Sequence, residues 1–163
     1  MKNRSAFFLR LQTAYLQIVI LLLAIGALAI LLWEPQIEGR NAHATQFQIY
    51  FHDPFLACTY IASLALFTGL YQAFRLVGYI RENRIFSPAA ITALRIIKFC
   101  ALTLVAFVVA GEISILFSQS DDRAGGVFMG GLIGFGSLVV AAAAALFQRI
   151  LQSALAMKPK VPV

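Results

Sequence analysis

The sequence predicts an all-α integral membrane protein, a bundle of four transmembrane helices forming a single domain over residues 1–163. Three observations carry this prediction. Of the 163 residues, 61% are apolar and 12% charged, against about 45–50% and about 25% in a soluble domain. Four stretches are apolar for long enough to cross about 30 Å of hydrocarbon, which takes roughly 20 residues. The basic residues then fall almost wholly on one side of the resulting map. The first observation excludes a soluble globular domain, a disordered chain and a nucleic-acid-binding domain, despite a sequence pI near 9.8.

The spans follow from runs without charge. Leu11–Trp33 is 23 residues long, Pro54–Phe74 is 21 and Ala124–Gln148 is 25. Phe99–Ser118 is interrupted only by Glu112. Its eleven Leu, Ile, Val and Phe residues contribute roughly −3 to −7 kcal/mol toward insertion, which outweighs about +2.5 to +3.5 for one central acidic residue. With flanking residues the spans are set at about 11–33, 54–78, 92–118 and 124–148. The first is expected to be retained rather than cleaved as a signal peptide. Its apolar run exceeds the roughly 7–15 residues of a signal core, and the small-residue pattern Ala42–Ala44 lies well beyond its end.

Orientation comes from the Lys and Arg residues. Lys2, Arg4 and Arg10, then Arg75, Arg81, Arg84, Arg95 and Lys98, then Arg149, Lys158 and Lys160 make eleven on one side, against Arg40 and Arg123 on the other. The positive-inside rule puts both termini and the middle loop in the cytoplasm. Helix ends agree. Asp53-Pro54 and Ser87-Pro88 each place a capping side chain before a first-turn proline. The second helix can run from Pro54 to about Arg81 and the third from Pro88 to about Phe117. At roughly 42–45 Å each, they should project about 10 Å into the cytoplasm. The outer loop alternates apolar and polar residues over Thr45–Phe51, as a short strand or an interfacial segment would.

Few residues carry chemistry. Cys58 and Cys100 fall at opposite depths, which reads as two packing residues rather than a disulfide pair. His43 and His52 share the outer loop with Glu38 and Asp53 at spacings that suit solvated side chains, not a metal site. There is no nucleophile–base pair and no glycine-rich phosphate loop, so neither an enzyme nor a cofactor is expected. Small residues form the clearest pattern: Gly126, Gly130 and Gly134 on the last span, Ala65, Gly69 and Ala73 on the second. Such stripes let helices approach closely. They fit packing of the second helix on the fourth, or a homo-oligomer interface. Glu112 is the one intramembrane carboxylate of the spans, a functional candidate by type. Thr59, Tyr60 and Ser63 are expected near its depth, with Gly130 and Gly131 opposite. Arg81, Arg84, Arg95 and Lys98 on the middle hairpin are candidates for lipid head groups or a partner protein.

The middle turn Ile85-Phe86-Ser87-Pro88, the basic pair in Leu94-Arg95-Ile96-Ile97-Lys98 and the closing segment Phe147–Ala154 resemble the bacterial domain-of-unknown-function 2975 family. That resemblance implies a short four-span protein of the bacterial inner membrane, with genes often beside a small helix-turn-helix regulator, and carries no catalytic residues over. Members often end in an acidic tail, where this chain has Met157-Lys158-Pro159-Lys160. The leading functional expectation is a non-enzymatic protein that regulates or assembles through helix–helix and loop contacts, with the lipid bilayer and a membrane protein or a second copy as partners. The alternative is a small oligomeric transporter or channel subunit with Glu112 in a polar path. A third reading, a lipid-directed enzyme, would use Arg81, Arg84 and Arg95 on a head group.

Reporter fusions at Lys160 and Asn83 are expected to read cytoplasmic and a fusion at Thr45 external. An external signal at Asn83 contradicts the charge map.

Overall fold

The computed structural model describes residues 2–37, 54–117 and 123–157, and apart from the turn at 82–87 and residue 157 these are helical, without strands. Helix α1 is Lys2–Ile37, α2 Pro54–Arg81, α3 Pro88–Phe117 and α4 Arg123–Ala156. Each contains a window long and apolar enough to cross a membrane. Asp53 and the alternating Thr45–Phe51 segment lie outside the described residues. α1 and α4, at 36 and 34 residues, run well past their apolar spans.

The α2–α3 turn shows why the chain reverses there. Asn83 takes the left-handed conformation at φ 55°, which Asn tolerates better than most residues. Its amide donates to the Ile80 carbonyl at 3.1 Å, and the Arg84 amide donates to Tyr79 at 2.8 Å. These two bonds are a Schellman closure of α2. α3 then opens on Ser87, whose hydroxyl accepts from the Ala90 amide at 3.3 Å, with Pro88 in the first-turn position where no amide is needed. The turn is thereby tied at both ends.

The helices pack in chain order. α3 meets α4 most extensively, α2 meets α3 next, and α1 meets α2. α1 has no comparable contact with α3 or α4 among the described residues, so the bundle is open rather than closed on itself. The reason lies in side-chain size. Inside lipid, apolar surface gains nothing by leaving its neighbours for another helix, so contact depends on close approach. A methyl group on Gly26, in the middle of α1, would meet nothing within 4 Å. Leu21, Leu22, Ile25 and Leu28 around it remain exposed.

The best-buried cluster is at the hairpin end: Ala90 and Leu94 of α3 with Ala144 and Leu151 of α4, flanked by Leu76, Tyr79, Ile85, Ile91 and Ile97. One contact gives the α2–α3 register: a Cβ on Gly69 would lie 3.4 Å from the Cβ of Cys100. Cys58 is eleven residues from Gly69 on α2, which separates the two thiols by about 16 Å along the axis, far beyond disulfide reach.

α1 is held by a bond that its own sequence makes necessary. Pro35 lies within the last turn of α1, and having no amide hydrogen it leaves the carbonyl four residues earlier, that of Leu31, without its helical donor. The Tyr60 hydroxyl of α2 donates to that carbonyl at 3.0 Å. In lipid such a carbonyl has no water to turn to. Tyr60→Phe is expected to destabilise the α1–α2 contact by about 1–3 kcal/mol, read as a lower melting temperature in detergent. The loss should largely vanish in a Pro35→Ala background, which restores the internal donor. An equal loss in both backgrounds refutes this role for Tyr60.

Candidate functional site

The far half of the α3–α4 interface is a ladder of glycines. A Cβ on Gly126 would lie 3.1 Å from Ile115 Cδ1, and one on Gly134 3.3 Å from Val108 Cγ1. Between them, a methyl group on Gly130 would overlap the Glu112 carboxylate and stand 2.9 Å from its Cδ. The four-residue spacing on α4 thus matches positions 108, 112 and 115 on α3, one rung per helical turn. From the α2 stripe Gly69 approaches Cys100 of α3, as the α4 glycines approach α3, and α2 and α4 share little direct contact. α3 stands between them, so packing of the second helix on the fourth is not what the structure shows.

Glu112 Oε1 is sealed in this interface and accepts no hydrogen bond. A buried polar oxygen without a donor is uncommon and marks a place of interest. None of the expected hydroxyls donates to Oε1. The α2 register places Glu112 level with residue 57, two to six residues before Thr59, Tyr60 and Ser63. Tyr60 engages Leu31, and Ser63 donates to the carbonyl of Tyr60 on its own helix at 2.7 Å. Thr59 is on an exposed part of α2. The rungs on either side of Glu112 are Ile115 and Val108, both apolar.

A second group of residues lies toward the hairpin end. Register places Arg75 level with Leu94 and Tyr71 level with Lys98, while the Gly134–Val108 rung places Arg149 level with Ala93. The Arg75 guanidinium is 5.8 Å from the ring centre of Tyr71 and 5.7 Å from that of Tyr79. It also donates to the Tyr79 hydroxyl at 2.6 Å. Lys98 Nζ is 4.8 Å from the ring centre of Phe99. Cations over aromatic faces are favourable by about 0.5–1 kcal/mol at exposed sites. The spacing Tyr71, Arg75, Tyr79 was visible as a one-turn repeat, yet sequence reasoning passed over it. Arg81 and Arg84 lie beyond this level on the turn, where Arg84 pairs with Glu82 at 3.6 Å, both exposed. No group of three or more metal-ligating side chains occurs among the described residues. His43 and His52 lie outside them.

The profile of the family described as protein of unknown function (DUF2975) matches residues 36–159, which takes in α2, α3 and α4. The chain belongs to the DUF2975 family. It is also 32% identical over 151 residues to the uncharacterized membrane protein YoaS of Bacillus subtilis (strain 168), covering 91% of this chain and 94% of that protein. No solved structure matches. The segment shared with DUF2975 contains the whole glycine ladder, Glu112 and the basic–aromatic level, while most of α1 precedes it.

Gly130→Ala is expected to cost about 1–3 kcal/mol through overlap with Glu112. The cost should persist in Glu112→Gln, which keeps the volume, and fall in Glu112→Ala, which removes it. Glu112→Lys is expected to lower accumulation where Glu112→Gln does not, since the longer cation must fit against Gly130. Additive losses for Gly130→Ala and Glu112→Ala in thermal melts contradict the contact.

Proposed function

We propose that this protein is a non-enzymatic inner-membrane protein that regulates or assembles with a membrane partner through the hairpin end of its bundle, held in the cytoplasm with both termini. The observation that carries this reading is where burial is greatest. The buried cluster of Ala90, Leu94, Ala144 and Leu151 lies at the hairpin end, whereas the apolar spans are largely exposed. Apolar burial is driven where water is the alternative; Ala90 and Leu151 lie beyond the predicted spans and Leu94 and Ala144 within their cytoplasmic last turns, so the cluster supports projection of the turn end from the bilayer. α2 extends six residues past Arg75 and α4 seven past Arg149, about 10 Å in each case. The result is a small helical head whose tip carries Arg81 and Arg84. A rigid, charged tip on a membrane anchor suits recognition of an acidic partner segment.

The second reading, a small oligomeric transporter or channel subunit with Glu112 in a polar path, has one observation in its favour: the buried, unpartnered oxygen of Glu112. The apolar neighbours Ile115 and Val108 count against a continuous path along this interface.

A photo-crosslinking side chain at Asn83 is expected to yield a specific adduct in native membranes, lost on Arg81→Glu with Arg84→Glu. The same probe at the lipid-facing Phe128 should yield none. Equal adducts at both positions, or none at Asn83, overturn the docking reading. A solute flux abolished by Glu112→Gln would favour the second reading.

A further inference from the structure

Arg75, Arg95, Lys98 and Arg149 come from three different helices, yet register brings them within about 8 Å of one another along the bundle axis, at the levels of α3 residues 93–98. Arg75, Arg95 and Arg149 are exposed and Lys98 is half-buried. Exposed aromatic side chains occupy the same level: Tyr71 and Phe74 on α2, Phe99 on α3 and Phe147 on α4. No acidic residue of α2, α3 or α4 shares it, and the part of α1 at this depth, around residues 19–24, is uncharged. These cations therefore form a collar with no carboxylate of the described residues at their level. On the far side of the collar, α2 has no charge from Cys58 to Phe74, and α3 has only Glu112 between Phe99 and Leu116. The buried cluster runs from the collar level, at Leu94 and Ala144, toward the turn, at Ala90 and Leu151; with apolar helix on the far side and aromatic rings at the collar, this is the pattern of a lipid–water boundary.

We propose that this collar is a binding site for anionic phospholipid, in which Arg75, Arg95, Lys98 and Arg149 hold head-group phosphates while Tyr71, Phe74, Phe99 and Phe147 rest against the acyl–glycerol boundary. Arg guanidinium suits phosphate oxygens through paired donors. An anionic head group at the membrane surface is attracted by each basic residue near it. Arg81 and Arg84, at the tip of the head, lie outside the collar, so the site is independent of the docking reading and either can fail alone.

The test uses the full chain purified in neutral detergent and stripped of lipid. Phosphatidylglycerol, at about a hundredfold above its dissociation constant, should raise the melting temperature by about 5–10 °C. Phosphatidylcholine of the same chain length and soluble glycerol phosphate should each produce less than a third of that rise. The Arg75→Gln, Arg95→Gln, Lys98→Gln, Arg149→Gln variant should lose most of the gain, and Arg81→Gln with Arg84→Gln should keep it. If the fourfold variant does not fold, Arg95→Gln and Arg149→Gln alone should each lose part of the gain. The proposal is overturned if phosphatidylcholine is as effective, if glycerol phosphate reproduces the rise, if the collar variants retain it, or if the tip variant loses it equally.

Discussion

Close approach between helices is the constraint on which this structure depends. In hydrocarbon a leucine gains nothing by exchanging a lipid tail for another leucine, so helices hold together where backbones can come near and where polar groups need one another. α4 meets this condition with Gly126, Gly130 and Gly134, which admit Ile115, Glu112 and Val108 of α3. α2 meets it with Gly69, which admits Cys100. α1 has no such ladder. It is held where the Leu31 carbonyl, released by Pro35, takes the Tyr60 hydroxyl, and where Gln17 comes within 3.9 Å of a Cβ position on Gly78. The serial order of packing and the open bundle both follow from this distribution of small and polar residues.

At the hairpin end the balance changes. Leucines and alanines are buried there, and the turn is closed by backbone bonds around Asn83 and a side-chain cap at Ser87. An exposed ion pair between Glu82 and Arg84 contributes little to stability. What rigidity the turn has comes from the caps and the cluster beneath it. This leaves the basic side chains at its surface available for recognition rather than committed to the fold. The same separation divides the cations in two. Arg81 and Arg84 at the tip are exposed, and one level below Arg75 and Lys98 lie on aromatic rings.

Among the described residues, Glu112 Oε1 is the one buried side-chain polar atom without a hydrogen-bond partner. This oxygen rests against Gly130, and only a glycine at that position leaves room for it. The pairing explains why residue 130 must be small whatever Glu112 does. It also makes the ladder asymmetric, since the rungs above and below are hydrocarbon contacts and this one is not.

The number of spans and the starts of α2 and α3 could be read from the sequence alone, because they rest on local quantities. Transfer free energy is summed over roughly 20 residues, and a proline at the first turn needs only its own missing amide. The small stripes and Glu112 were also visible, as residue types at helical spacing. Their partners were not. Whether Gly69 and Gly130 face each other or both face α3, whether Tyr60 turns to Glu112 or to Leu31, and whether Arg149 shares a level with Arg75 are matters of rotation and register between helices separated by long stretches of chain. A shift of one residue rotates a side chain by about 100° around its helix. Those relations exist only once the glycines have let the helices close on one another.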